Sequence, residues 1–172
     1  MALKDTLQTL KQDEARTRQA ELDRPKVIAE WQATVRKLFD TLRSYLSEYE
    51  KGKLLSFSHH DVSTSEELLG SYTIPTMEIR AGNATISVTP VGRLILGALG
   101  RVDMHVRGKA LEREKIILLH TLEQEKALPF WVISAAPEKA MRFTQSHIAP
   151  GQRKYVLMTK ETVEKAVDYL LQ

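Results

Sequence analysis

The chain has 172 residues, 42% apolar and 27% charged, with no cysteine and a net charge of +3. That size and apolar share suit one soluble domain with a real core, and the absent cysteine excludes disulfides, zinc–thiolate sites, iron–sulfur clusters and a thiol nucleophile. The pI of 9.1 points toward nucleic acid, yet residues 1–52 hold 10 Lys/Arg against 9 Asp/Glu and the remainder 15 against 13, so no half carries a concentrated basic footprint.

Residues 1–23 are rich in Lys, Gln, Glu and Arg and predict a helical arm. Leu3, Leu7 and Leu10, spaced four and three apart, mark an apolar stripe on it. Beyond Leu10 the stripe fades, so the arm buries little alone and is expected to contact a partner or a second copy. Asp23-Arg24-Pro25 then reads as a helix start, with Pro25 in the first turn. The amphipathic helix of residues about 25–51 places Val27, Ile28, Trp31, Val35, Leu38, Phe39, Leu42, Tyr45, Leu46 and Tyr49 on one face, and Gly52 ends it.

From Leu54 the period changes to two, and a sheet is expected over residues about 54–158. Leu55–Ser58 predicts a short strand, and Asp61–Leu69 a polar connection with a turn of helix. Met77–Arg80 and Thr85–Thr89 form a hairpin around Gly82-Asn83, with Pro75 near a strand start or on an edge. Pro90-Val91-Gly92 reads as the next turn. The stretch Gly92–Gly108 then runs G-R-L-I-L-G-A-L-G-R-V-D-M-H-V-R-G. It begins as an apolar run, bends at Gly97–Gly100, and continues as strict alternation. Val102, Met104 and Val106 fall on one side; Arg101, Asp103, His105 and Arg107 fall on the other, expected to face solvent. Ile116–Leu119 and Phe130–Ile133 predict strands covered on both faces, residues 137–148 an irregular helix, and Tyr155–Leu157 a last strand. Thr159 caps a final helix of residues about 160–171, with Val163, Ala166, Val167, Leu170 and Leu171 as its stripe.

Helices, then strands, then a helix argue an α+β fold: a mostly antiparallel sheet of about five to six strands, packed by the long amphipathic helix and the C-terminal helix. The expected organisation is a helical arm over 1–23 and a single α+β domain over 24–172.

Chemistry is sparse. Asp103 and His105 are neighbours on one strand face, so the pair could share a metal, or the carboxylate could orient the imidazole. His120 or His59 would have to complete the set, while Arg101 and Arg107 beside it disfavour a cation. His59-His60-Asp61 reads as loop polarity, because adjacent residues on an extended chain point to opposite faces. A restriction-type nuclease needs an acidic–x–Lys triplet, and Glu112-Arg113-Glu114-Lys115 and Glu123-Gln124-Glu125-Lys126 lack that spacing. There is no G-x-S-x-G elbow, phosphate loop, dinucleotide fingerprint or H-E-x-x-H. Trp31 and Trp131 read as core aromatics.

These observations favour a non-catalytic interaction or adaptor subunit of an intracellular assembly, without a cofactor or resident metal. Its candidate surfaces are the row Arg101, Asp103, His105, Arg107 and the stripe Leu3, Leu7, Leu10. The alternatives are a metal-dependent hydrolase using Asp103 and His105, and a polyanion or nucleic-acid binder using Lys139, Arg142, Arg153 and Lys154. The N-terminal stretch is too polar for a signal peptide, and the longest apolar run, Leu94–Leu99, is too short to span a bilayer. A cytoplasmic location is expected.

Overall fold

The computed structural model describes residues 3–93, 98–109, 115–122, 129–135 and 154–172. Three helices come first: α1 (Leu3–Leu22), α2 (Arg24–Tyr45) and α3 (Ser47–Lys51). Seven strands follow: β1 (Ser56–Glu66), β2 (Gly70–Ala81), β3 (Ala84–Gly92), β4 (Gly100–Val106), β5 (Ile116–Leu122), β6 (Pro129–Ala135) and β7 (Lys154–Leu157). Helix α4 (Lys160–Leu171) closes the order. Each strand pairs antiparallel with the next, giving one open sheet in chain order. The class is α+β, as expected. Among the described residues the sheet has seven strands rather than five to six, since even the four-residue β7 finds a partner in β6.

The core lies between one sheet face and the helices α2 and α4. Helix α2 contributes Trp31, Val35, Leu38, Phe39 and Leu42, all fully buried, and Leu46 follows at its end. Burying each such side chain stabilises by about 1.5–3 kcal/mol, so this stripe seats the helix. The sheet answers with Ile74, Met77, Ile79, Ile86, Val88, Val102, Met104, Ile116, Leu118 and Ile133. Helix α4 adds Val163, Ala166, Val167 and Leu170. Its start is held by a reciprocal cap: the Thr159 hydroxyl accepts from Thr162 N–H at 3.2 Å, and Thr159 N–H donates to the Thr162 hydroxyl at 2.8 Å.

Several local expectations need correction. The long helix stops at Tyr45, where Leu46 leaves helical geometry, and α3 resumes after it. Tyr49, expected on the buried stripe, is therefore exposed. Gly52 does end the helical stretch as the C-cap of α3, at φ −73°, and it is Lys53, at φ 59°, that takes the left-handed position. The expected connection Asp61–Leu69 is mostly strand, because β1 runs through Glu66 in unbroken register with β2. As an edge strand, β1 tolerates that polar sequence. Pro75 lies inside β2, but pairing to β3 begins only at Met77, so the proline sits where β2 has one neighbour. Pro90-Val91-Gly92 belongs to β3 as an irregularity in its register with β4, rather than a turn. Leu171 stays exposed.

Gly100 marks a close approach between α2 and the sheet. A Cβ built there would lie 2.4 Å from Trp31 Cζ3 and 2.6 Å from Cη2. The indole lies against the start of β4, where only a hydrogen fits. Gly97 and the expected helix over 137–148 lie outside the described residues.

Candidate functional site

The alternating half of the Gly92–Gly108 stretch is strand β4. Gly100, Val102 and Met104 are buried, the latter two in the core beneath α2, so Arg101, Asp103 and His105 stand on the opposite face. That face is not a free row of charges. Asp103 is only 4% exposed. Its two carboxylate oxygens accept from Arg101 Nε at 2.7 Å and Arg101 Nη2 at 3.0 Å. Lys115 Nζ approaches the second oxygen at 3.4 Å. Register explains Lys115: Asp103 pairs with Ile117 on β5, and Lys115 stands two residues before Ile117, on the same face. It went unnoticed in sequence because its neighbour Ile116 opens an apolar run. Arg107 pairs with Glu78 of β2, reaching diagonally past Ser87, the cross-strand partner of both Glu78 and His105.

His105 is half-buried, and its Nδ1 is buried with no hydrogen-bond partner among the described residues. Burial, and then the Lys115 charge, hold the imidazole below its ordinary range against the opposing pull of Asp103. The row is thus a lattice of ion pairs with a neutral imidazole in it. A carboxylate engaged by a fork-shaped guanidinium and a lysine has little capacity left for a divalent cation.

The other histidines do not join it. His120 pairs with Gly100 on one side and Trp131 on the other, which puts it on the core-side face. Its ring stacks on Trp131 with centroids 4.8 Å apart. With Thr34, Lys37, Leu38 and Thr41 of α2, these two rings line a cleft of about 270 Å³. Burial, followed by the charges of Arg93 and Lys37, pushes His120 down to about 4. His59 and His60 lie within β1, not in a loop, and His59 faces Phe39 at a ring distance of 5.9 Å. Among the described residues no group of three His, Asp or Glu could hold a metal ion.

The arm forms as a 20-residue helix. Arg16 anchors it, donating from Nη2 to the Ala98 carbonyl at 2.9 Å and pairing with Asp13 at 2.9 Å. Leu3, Leu7 and Leu10 remain outside at 73%, 54% and 49% exposure. A second apolar opening went unrecognised in the sequence. Leu46, Tyr49, Leu54, Leu55, Val167 and Leu171 line a cleft of about 300 Å³ between α3, the start of β1 and α4. Its residues come from three separated segments, so no local pattern announces it. Of the polyanion candidates, Lys139, Arg142 and Arg153 lie outside the described residues, and Lys154 opens β7.

Among the described residues no helix is long and apolar enough to cross a membrane. Compared with protein-family models, curated proteins and solved structures, the chain matches none.

Proposed function

We propose that the chain is a non-catalytic interaction subunit of an intracellular assembly, and that the helical arm α1 is its contact element. The observation that carries this reading is the exposure of three leucines in a row, Leu3, Leu7 and Leu10, on a helix tied to the body by the Arg16 bond to the Ala98 carbonyl. Single exposed leucines are ordinary, but an aligned set at helical spacing supplies a contiguous apolar surface of the kind that marks association sites. The state of Asp103 supports the same reading, since both carboxylate oxygens already have cationic partners.

The test compares the native mass of the full chain with that of a Leu3/Leu7/Leu10→Ser variant, by light scattering and by recovery from the native cell. Loss of an associated mass in the variant, with an unchanged circular-dichroism spectrum, supports the arm. Equal monomeric masses and no co-purifying protein in either case overturn it. Binding of Mn²⁺ or Zn²⁺ that disappears on Asp103→Asn would replace it with the hydrolase reading.

A further inference from the structure

The arm stripe and the cleft beside α4 share a chemistry. Leu3, Leu7 and Leu10 stand at i, i+4 and i+7, the anchor spacing of an amphipathic helix laid into a groove. At 100° per residue, Lys4 and Lys11 border one edge of that stripe. Neither lysine has an ion-pair partner among the described residues. The cleft has the complementary features. Its mouth exposes Leu54 at 67%, together with Tyr49 and Leu171. Glu164 and Asp168, one turn apart on α4, supply its only charges. Glu164 has no ion-pair partner among the described residues, and Asp168 accepts only from Gln172 at 2.8 Å.

The volume also fits. An apolar cavity of about 150 Å³ takes a benzene-sized group. A cleft of about 300 Å³ therefore takes two leucine-sized groups. Leu54 and Leu55 also border a second, more polar depression of about 370 Å³ lined by Glu50, Lys53, Arg80 and Gly82.

We infer that the α1 arm of one chain docks its Leu3, Leu7 and Leu10 stripe into the Tyr49/Leu54/Leu171 cleft of a second copy, with Lys4 and Lys11 meeting Glu164 and Asp168. Reciprocal exchange of arms around a twofold axis makes the interface isologous and closes it as a dimer with two equal arm-to-cleft contacts. This assignment rests on the arm being the contact element and adds the identity of its acceptor.

Sedimentation and light scattering of the full chain at tens of micromolar test it. The expected mass is twice the 19.5 kDa of one chain. Leu7→Asp and, separately, Leu54→Asp each weaken the dimer at least tenfold; both positions are exposed, so neither substitution disturbs the core. Mixing the two variants restores association, because the intact arm of one meets the intact cleft of the other. Charge reversal at Lys4 and Lys11 weakens the dimer, and reversal of Glu164 and Asp168 in the same chain restores it. A monomeric wild type, a dimer untouched by Leu54→Asp, or no rescue on mixing overturns the assignment. If Leu7→Asp releases a different protein while the chain alone is monomeric, the arm reading stands and the acceptor assigned here is wrong.

Discussion

Gly100→Ala isolates the contact that holds the start of β4 against α2. The added Cβ would sit 2.4 Å, 2.6 Å and 3.2 Å from Trp31 Cζ3, Cη2 and Cε3. Carbon atoms rest comfortably at about 3.5–4.0 Å, so the ring and the strand must separate by about 1 Å. Trp31 is 1% exposed and packed among core side chains, which denies it an empty space to move into. Gly100 is not among the glycines with left-handed φ, so the clash alone sets the penalty. Overpacking of this kind costs about 1–3 kcal/mol, against about 0.4–1 kcal/mol gained from a stiffer unfolded chain. A net loss of about 1–2 kcal/mol is expected, read as a lower urea midpoint at unchanged slope. Trimming the ring with Trp31→Phe removes the clashing edge. The double variant should then be less destabilised than the sum of the singles by about 1 kcal/mol. A Gly100→Ala protein with the wild-type midpoint, or an additive cycle, would refute the close approach.

Three further outcomes follow from single contacts. Thr159→Ala removes the acceptor for Thr162 N–H and should cost about 1 kcal/mol, measured by thermal unfolding; a Tm equal to wild type counts against the cap. Asp103→Ala leaves Arg101 and Lys115 without their shared carboxylate. The expected loss is about 2 kcal/mol in urea, below the ~3–5 kcal/mol of a fully buried pair because both cations keep contact with water. A change within about 0.5 kcal/mol would mean that the pairs contribute nothing measurable. For His120 the folded value near 4 lies below the ordinary 6.5, so between these pH values the unfolded chain binds the extra proton. Stability contributed by the neutral ring is complete above about 6.5 and is lost as pH falls toward 4, by no more than about 2 kcal/mol once screening at a partly exposed ring is allowed for. His120→Gln should flatten the slope of unfolding free energy across that window, and an unchanged slope would sink the assignment.

How much the letters disclosed depended on whether a signal was local. The stripe Trp31–Val35–Leu38–Phe39–Leu42 and the alternation Val102–Met104 are local periodicities, and both stretches take the secondary structure that they predict, although the helix ends at Tyr45. The extent of β1 was hidden because Asp61–Glu66 is polar, and only pairing with β2 reveals those residues as strand. The break at Leu46 was hidden for the opposite reason, since a buried leucine at the right spacing looks like uninterrupted helix. The Asp103–Arg101 pair was readable from i, i+2 geometry. Its third member Lys115 and the cleft of Leu54, Tyr49 and Leu171 depend on register and on tertiary docking, which no single segment encodes.

Register also decides why the histidines cannot meet Asp103. His120 stands opposite Gly100, so its side chain shares the core face with Ile116 and Leu118. Moving it to the Asp103 face requires a one-residue slip of β5, and a slip of one turns every side chain of the strand over. Ile117 and Leu119 would take the core places of Ile116 and Leu118, but Lys115 would turn with them, away from Asp103 and toward the core side. Pointing an ammonium at an apolar core and taking a cation from a nearly buried carboxylate are both costly. The register of β5 against β4 therefore holds His120 away from Asp103 and His105. What remains on the outer face is a carboxylate engaged by two cations, whereas the arm and the cleft beside α4 each expose several apolar side chains. Those two places, rather than the charged row, are where association should be sought first.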